Sequence, residues 1–311
     1  MNKRVMVLGE ALMDCVAQDN GQLLPLMGGS PYNMARAAAR RGATVAYLNP
    51  LSTDRFGQQL GAQLQADGVA TPGGNSRLPT SLAVVQINNG QPSYGFYRDG
   101  IADRDTSVEG LLAQLDGPPP GVLHTGSLLL VPPEHDKTLA VLAGARTRGW
   151  TISVDVNLRP LLAADLAAYV QAVLAVLPHT DWLKASDEDL ETLGLEGVRR
   201  TNAAALVREL RQRAGAGRLS RVALTFGGDG AYLDADGEAA EADVPKVQVV
   251  DTVGAGDTFW GNCVADWALE HGGAERCAST LRHAMVAAAI NCSRQGCQPP
   301  TWAETQGGVP A

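Results

Sequence analysis

Short apolar runs alternate with longer Ala- and Leu-rich segments along most of the 311-residue chain. The short runs have the length of strands buried on both faces, and the longer segments have the length of helices. The predicted strands are 5–8, 45–48, 122–125, 152–156, 182–184 and 222–225. The predicted helices are 33–41, 56–66, 135–147, 166–177, 203–213 and 259–269. Because strands and helices alternate, the pattern predicts βα units and a mostly parallel sheet with helices on both faces.

Residues 81–98 depart from this pattern. Their apolar and polar positions alternate around the tripeptide Asn-Asn-Gly at 88–90, a turn sequence typical of β-hairpins. Residues 14–24 are also strand-like and contain an Asp-Asn-Gly turn of their own. We therefore predict a small antiparallel sheet, formed by about residues 14–26 and 80–101, over the main sheet of one domain that spans residues 1–311. Arg98 and the aromatic residues just before it favour a ligand-binding role for this sheet.

The composition narrows the possible functions. With 45% hydrophobic and 19% charged residues, the chain can bury a large core. The formal net charge of −8 argues against a protein that binds nucleic acid. No apolar run is long enough to cross a bilayer and the N-terminus lacks the layout of a signal peptide, so we expect a cytoplasmic protein without a membrane partner. The five cysteines form no CxxC pair and the five histidines no HxxxH or HxH cluster, which argues against a zinc site.

Residues 251–257, Asp-Thr-Val-Gly-Ala-Gly-Asp, contain the strongest candidate for a catalytic centre. Gly254 and Gly256 let the backbone bend sharply and bring N–H groups close to a ligand. A helix that begins there adds unpaired N–H groups and the positive end of its dipole, which favour an anion. Asp257 adjoins this anion site and could be a simple helix cap. It could also take a proton from a nucleophile while the amides stabilise developing negative charge.

Further polar residues follow the predicted strands, at the edge where open α/β sheets bind ligands. Asp14 can accept hydrogen bonds from two sugar hydroxyls, although it is also an ordinary turn residue. Gly28 and Gly29 allow close approach of the backbone, and Asn33 offers donors and an acceptor to a hydroxyl-rich ligand. These residues are compatible with a sugar site but do not specify one.

Alternation along the fourth predicted strand places Asp155, Asn157 and Arg159 on one face. Three buried polar groups are unfavourable unless they bind a ligand or one another, so a ligand site and a structural hydrogen-bond cluster are both possible. The chain has no GxxxxGK[ST] motif, no GxGxxG after the first strand and no GxSxG. These absences argue against a P-loop kinase, a dinucleotide-binding oxidoreductase and an α/β-hydrolase.

Residues 251–257 resemble the DTxGAGD signature of the PfkB (ribokinase-like) carbohydrate kinases, and further motifs follow the order of that family over nearly the whole chain. The resemblance implies a ribokinase-like three-layer α/β sandwich with a small antiparallel β-lid. It also implies that the amides of Gly254, Ala255 and Gly256 form the anion hole for the transferred phosphoryl group. Asp257 is then the base that activates the acceptor hydroxyl.

The sugar-binding motifs of this family have counterparts here, and those of bacterial fructokinases are the most similar. The substrate-binding residues that the resemblance implies are Asp14, Gly28, Gly29, Asn33, Arg98, Asn157 and Arg159. Fructose is the expected acceptor because residues 28–33, residues 96–98 and Ser186 resemble fructokinase segments. The nearest rival acceptor is 2-keto-3-deoxygluconate, whose carboxylate needs a cationic partner such as Arg98 or Arg159. The pattern favours ribose and aminoimidazole riboside less as acceptors.

The resemblance also implies where ATP and cations bind. The expected nucleotide-binding residues are Lys184, Ser186, Thr225, Gly227, Gly230, Gly254 and Gly256. Most of the family has Asn-x-x-Glu for magnesium and phosphate, but here Ser186 replaces the Asn and Asp189 the Glu. Asp189 or Glu188 is therefore the expected Mg²⁺ ligand. Asp251 and the closing segment, residues 287–297, imply a site for a monovalent cation such as K⁺. The segment 225–230 could also be a plain hairpin.

Together these features predict an ATP-dependent fructokinase that forms fructose 6-phosphate and assembles as a homodimer through the β-lid. Another sugar or nucleoside kinase of the same family is the first alternative. A non-catalytic sensor of sugar or nucleotide is the second, motivated by the changes at Ser186 and Asp189. The missing GxGxxG motif disfavours an oxidoreductase.

Overall fold

The computed structural model describes residues 3–18, 20–88, 91–215, 219–270 and 276–308, with the backbone alone for 85–88 and 91–94. The strands are β1 Val5–Val7, β2 Leu12–Ala17, β3 Leu23–Gly28, β4 Val45–Tyr47, β5 Leu51–Ser52, β6 Asn75–Ser76, β7 Ser81–Asn88, β8 Gln91–Tyr97, β9 Val122–Gly126, β10 Thr151–Asp155, β11 Trp182–Ser186, β12 Arg221–Thr225, β13 Ala231–Ala235 and β14 Glu238–Ala242. The helices are α1 Ser30–Arg40, α2 Arg55–Ala66, α3 Val108–Asp116, α4 Glu134–Thr147, α5 Leu166–Val176, α6 Asp187–Thr192, α7 Ala203–Ala214, α8 Ala255–Ala268, α9 Arg276–Cys292 and α10 Trp302–Gln306.

Within the described residues, the main sheet has eight strands in the order β14-β13-β12-β11-β10-β9-β1-β4. Neighbouring strands from β12 to β4 run parallel. β13 and β14 extend the sheet antiparallel at one edge. Because the parallel strands share a direction, their carboxyl ends open to the same edge of the sheet, where the predicted site residues follow β1, β10, β11 and β12.

Helices cover both faces of this sheet. Val5 and Val7 of β1 pack in the core that includes α1, α2, α8 and α9. Met6 and Leu8 point the other way, into the core that includes α3 to α7. Burial on both faces explains why the strands are continuous apolar runs rather than alternating ones. The prediction of a three-layer α/β fold with a mostly parallel sheet is confirmed.

A second sheet, which we call the small sheet, has the order β3-β2-β7-β8. Its two hairpins pair antiparallel, β2 with β3 and β7 with β8. The hairpins join each other through a parallel pair, β2 with β7. The predicted turn at residues 89 and 90, and residue 19 of the other predicted turn, lie outside the described residues.

Two of the differences between predicted and observed element boundaries affect the site. Helix α8 begins at Ala255 rather than at 259, with Gly254 as its N-cap in the left-handed region at φ 73°. Gly and Asp are weak helix formers, so the sequence pattern placed the start too late, whereas nearly complete burial of α8 stabilises the extra turn. Strand β10 ends at Asp155, and Asn157 has φ 39°. The prediction that Asn157 and Arg159 continue the face of a strand is therefore wrong.

No helix in the described ranges is both long enough and apolar enough to span a bilayer.

Candidate active site

Asp257 lies in the first turn of α8 and is only 8% exposed. Both of its carboxylate oxygens accept a hydrogen bond from α1. Ser30 Oγ donates to Oδ1 at 2.7 Å, and Asn33 Nδ2 donates to Oδ2 at 2.9 Å. Ser30 and Asn33 are three residues apart, so they lie on one face of the helix and reach the same partner. The contact fixes the orientation of the carboxylate with respect to α1.

The surroundings of Asp257 change its acidity in opposite directions. Burial raises the pKa of the carboxyl group, and the hydrogen bonds from Asn33 and Ser30 and the charges of Lys184 and Arg159 oppose that rise. The net direction is upward. A carboxylate that is more basic than an ordinary Asp, and that is held by two donors, can accept a proton from a bound hydroxyl group.

Two glycines at the start of α8 are required by close contacts. A Cβ at Gly254 would lie 2.3 Å from Cys297 Sγ, and the residue has φ 73°. A Cβ at Gly256 would lie 2.9 Å from Lys184 Nζ. Ala255 N donates to the carbonyl oxygen of Thr252 at 3.2 Å. The next amides belong to the first helical turn, where a helix supplies no backbone acceptor, so they are available to an anion.

Lys184 brings a buried positive charge to this point. Its Nζ is 3.0 Å from each carboxylate oxygen of Asp155, and both side chains are buried. Burial opposes protonation of Lys184, but the carboxylates of Asp155, Asp189 and Asp257 outweigh it and raise the pKa of the ammonium group. Asp155 therefore has the structural role that the sequence left open, as the partner that keeps Lys184 charged beside Gly256.

Asp14 lies on β2 and interacts electrostatically with Asp257. Burial raises the pKa of Asp14 to about 6, and the charge of Arg159 opposes this rise while that of Asp257 adds to it. A Cβ at Gly28 would lie 2.1 Å from Asp14 Oδ2, and a Cβ at Gly29 would lie 2.5 Å from the carbonyl oxygen of Glu10. Gly28 therefore lets β3 approach the Asp14 side chain, and Gly29 lets the start of α1 approach the chain between β1 and β2.

Arg159 and Asn157 remain neighbours although they do not lie on a strand. Arg159 Nη1 donates to Asn157 Oδ1 at 2.7 Å and to the carbonyl oxygens of Asn157 and Leu158 at 3.2 and 2.9 Å. The left-handed backbone at Asn157 turns the chain, and the guanidinium group interacts electrostatically with Asp14 and Asp257. The candidate base thus lies near three residues that were predicted to bind substrate: Asp14, Asn157 and Arg159.

Arg98 lies at the end of the small sheet and is 7% exposed. Its Nε and Nη2 atoms have no hydrogen-bond partner among the described residues. Two buried carboxylates interact with it, Glu10 and Asp103. Burial raises the pKa of Glu10 to about 7 and that of Asp103 to about 6, and Arg98 opposes both rises. Burial lowers the pKa of the Arg98 guanidinium group, and the two carboxylates offset this effect only in part.

Ser186 and Asp189 form a helix cap at the start of α6. Ser186 Oγ accepts from Asp189 N at 3.1 Å, and Asp189 Oδ2 accepts from Ser186 N at 2.8 Å. Asp189 Oδ1 also accepts from Leu158 N at 2.7 Å, which fixes the loop after β10. The spacing Ser-x-x-Asp is that of a capping box, a signal present in the sequence. Glu188 is exposed on the same helix.

The remaining predicted nucleotide residues follow β12. Thr225 is half-buried at the end of that strand, and Gly227 has φ 50° with open space around a would-be Cβ. Gly230 has φ 96°, and a Cβ there would lie 2.1 Å from the carbonyl oxygen of Ala242. Close packing against β14 thus accounts for Gly230, whereas Gly227 borders free space. Across the described ranges, no three His, Cys, Asp or Glu side chains gather as metal ligands.

Asp251 joins the loop before α8 to the closing segment. Its Oδ1 accepts from Val253 N at 3.0 Å and its Oδ2 from Gly296 N at 2.8 Å. Asn291 Nδ2 donates to the carbonyl oxygen of Val253 at 2.8 Å. These bonds hold the closing segment against the candidate anion hole.

Sequence reasoning missed two residues of this site, Ser30 and Glu10. Glu10 follows the buried strand β1 at the ligand-binding edge of the sheet, and an acidic residue at that position was an available signal. Ser30 lies between Gly29 and Pro31 at the start of a helix, where a serine is unremarkable. Its partner Asp257 is distant in sequence, and no local pattern links the two.

Comparison with known proteins places the fold and the motifs in one family. The sequence profile of the pfkB family carbohydrate kinases matches residues 2–304. The chain is 30% identical over 276 residues to a fructokinase of Rhizobium leguminosarum bv. trifolii, an alignment that covers 86% of this chain and 80% of that protein. It is also 30% identical over 268 residues to a fructokinase of Vibrio alginolyticus, covering 84% of this chain and 83% of the relative.

A solved structure shares the whole fold. The crystal structure of a fructokinase with bound ATP from Xylella fastidiosa superimposes with a TM-score of 0.84 at 28% sequence identity. The match covers 99% of this chain and 98% of that chain. The DTxGAGD-like segment, the arrangement of the two sheets and the profile match agree with one another. The chain belongs to the pfkB family of carbohydrate kinases.

Proposed function

We propose that this carbohydrate kinase transfers the γ-phosphoryl group of ATP to fructose and forms fructose 6-phosphate, with Asp257 as the general base. The observation that carries the proposal is the position of Asp257. A buried carboxylate, held by Ser30 and Asn33, stands in the first turn of a helix whose N-terminal amides can bind an anion. This combination suits removal of a proton from a nucleophile next to a phosphoryl group.

In the proposed step the O–H bond of the sugar hydroxyl breaks and its proton goes to the Asp257 carboxylate. The sugar oxygen forms a bond to Pγ, and the bond between Pγ and the β–γ bridging oxygen breaks, so that ADP leaves. The amides of Gly254 and Gly256 and the ammonium group of Lys184 stabilise the charge on the phosphoryl oxygens, whereas the expected third donor, the Ala255 amide, already donates to the carbonyl oxygen of Thr252. Asn33 supports sugar binding as well, because its Oδ1 is buried without a partner and can accept from a hydroxyl group.

Fructose is favoured as the acceptor by the two relatives and by the charges around the site. Both relatives named above are fructokinases at 30% identity. Asp14 and Asp257 already interact as like charges at the site. A sugar acid adds a further negative charge there, whereas fructose is neutral and needs only hydrogen bonds.

ATP is the proposed phosphoryl donor, as in the Xylella fastidiosa structure with bound ATP. Ser186, Thr225 and Gly227 border its proposed phosphate site. A magnesium ion held mainly by the nucleotide phosphates and water fits this chain, because Asp189 already accepts two backbone N–H groups and Glu188 is exposed. When bound, such an ion neutralises phosphate charge. Asp251 is the proposed anchor of a carbonyl-lined site for a monovalent cation.

We also propose that the small sheet, with its flanking residues at about 14–26 and 80–101, closes over the sugar and joins two copies of the chain. Leu23, Leu24 and Tyr97 are exposed on it. Light scattering in solution tests the assembly of two copies, and a monomer at all concentrations contradicts it.

A cytoplasmic location fits the five free cysteines, because thiols stay reduced there.

A panel of acceptors tests the proposed function. We expect ADP release from MgATP with fructose, and much slower release with 2-keto-3-deoxygluconate, ribose and aminoimidazole riboside. Preference for the sugar acid keeps the kinase and replaces the substrate. Binding of sugar and ATP without turnover on any acceptor contradicts the kinase and favours a sensor.

Asp14→Asn is expected to weaken sugar binding. Hydrogen bonds to a charged partner contribute about 1.5–3 kcal/mol, so KM for fructose should rise roughly 10- to 100-fold with a smaller change in kcat. Because burial raises the pKa of Asp14 to about 6, the wild-type carboxylate is ionised above that pH, and affinity for fructose should fall as the pH drops below it. The matched control is Asp116→Asn, which removes an exposed carboxylate paired with Arg148. An unchanged KM in Asp14→Asn contradicts this role.

A further inference from the structure

We propose that Ser30 is a positioning residue for the reaction, whose hydroxyl group holds one oxygen of Asp257 and keeps that carboxylate ready to accept a proton. The inference rests on the proposed function, in which Asp257 is the base. It adds a residue that contacts neither the acceptor nor the phosphoryl group and acts through Asp257.

The geometry separates the roles of the two donors on α1. Ser30 Oγ donates to Oδ1 at 2.7 Å and Asn33 Nδ2 donates to Oδ2 at 2.9 Å. Asn33 also has a buried, unpartnered Oδ1 that can bind sugar, whereas Ser30 is only 6% exposed and its hydroxyl group is committed to Asp257. Ser30 is the first residue of α1, so no helical carbonyl group four residues earlier competes for its hydroxyl proton.

The backbone of Ser30 is held by a further hydrogen bond. Its backbone N–H donates to Glu10 Oε1 at 3.1 Å, and Glu10 is 1% exposed. The preceding residue, Gly29, has φ 106°, and a Cβ there would lie 2.5 Å from the carbonyl oxygen of Glu10. The start of α1 is thus packed against the chain after β1, and Ser30 has little freedom to leave Asp257.

The hydroxyl group matters because Asp257 is buried among several charges. The ionisable groups that interact with it are Lys184 of β11, Arg159 after β10, Asp155 of β10, Asp14 of β2 and Cys297 of the closing segment. Lys184 and Arg159 favour the carboxylate, while burial and the neighbouring carboxylates oppose it. Direct donors compensate for lost hydration at each oxygen, and Ser30 is the donor that the described part of the chain supplies at Oδ1. Loss of that donor leaves Oδ1 without this compensation and makes the carboxyl group hold its proton at higher pH.

The test measures the rate constant of a single turnover across about pH 5 to 9. Fructose and MgATP are kept at saturating concentrations, so that sugar binding by Asp14 does not limit the rate. In Ser30→Ala we expect the acid limb of the profile to move to higher pH by about one pH unit, so that the rate is about tenfold lower on that limb. Ser30→Thr keeps the hydroxyl group and should retain the wild-type midpoint even if its rate is lower. Ser220→Ala, which removes a hydroxyl bonded to the carbonyl oxygen of Asp181, is the matched control.

A uniform loss of rate in Ser30→Ala with an unmoved midpoint shows a merely structural role and overturns the inference. A moved midpoint in Ser30→Thr as well as in Ser30→Ala overturns it too, because the hydroxyl group is then not the cause. If thermal unfolding shows that Ser30→Ala is not folded, Ser30→Cys takes its place. Its midpoint should move to higher pH by a smaller amount, and an unmoved midpoint overturns the inference. Failure of the proposed function is distinct: the wild type is then inactive, or Asp257→Asn retains activity.

Discussion

Asp257→Asn is expected to lower kcat by about 10²- to 10⁴-fold, because a positioned general base contributes that much and an amide cannot take the proton. The substitution keeps the size and shape of the side chain, and the Ser30 hydroxyl and the Asn33 amide can still bond to it. Affinity for fructose and ATP should therefore change much less than kcat. Steady-state ADP release and calorimetric binding of each substrate measure the two effects separately.

The control for Asp257→Asn is again Asp116→Asn, which removes one negative charge from the surface. A variant at Asp257 with more than about a third of wild-type kcat contradicts the assignment of the base. Loss of binding together with loss of turnover points instead to a disrupted α1–α8 contact, and thermal unfolding of the variant resolves that case.

Gly254→Ala is expected to have the second-largest effect. The residue has φ 73°, which an L side chain rarely adopts, and the added Cβ would lie 2.3 Å from Cys297 Sγ. The start of α8 has to shift, and displacement of one donor of an anion hole lowers kcat by about 10²- to 10³-fold. We expect a loss of stability as well, because the left-handed conformation and the contact both disfavour the folded state.

Gly74→Ala is the matched control for this substitution. Gly74 has the same φ of 73°, but nothing lies within 4 Å of its would-be Cβ. It should reproduce the backbone strain and leave kcat unchanged. Equal losses of kcat in the two variants would mean that the effect arises from strain alone and not from the anion hole.

The architecture could be predicted from the sequence because burial and periodicity act locally. Strands such as Val5–Val7 are covered on both faces, so every residue is apolar and buried, and the helices between the strands have regular lengths. The boundary of α8 could not be predicted, because Gly256 and Asp257 are weak helix formers and their helical conformation depends on packing against α1 and α9.

The site was predictable where a motif records it and unpredictable where tertiary contacts create it. Gly254 and Asp257 belong to a recognisable segment, and the structure explains the glycine by its contact with Cys297. The bond between Ser30 and Asp257 joins residues 227 positions apart, and no pattern in either segment encodes it. The left-handed turn at Asn157 likewise depends on its surroundings, since an asparagine only tolerates that conformation.

The central claim is that this chain moves a phosphoryl group from ATP to fructose. The most direct measurement follows ³¹P and ¹³C NMR spectra of fructose and MgATP after addition of the protein. The account predicts one sugar phosphate, substituted at O6, for each ADP formed, and formation of both products at least about 100-fold more slowly when the Asp257→Asn variant replaces the wild type. ADP with inorganic phosphate, or no conversion of ATP by the wild type, would contradict it.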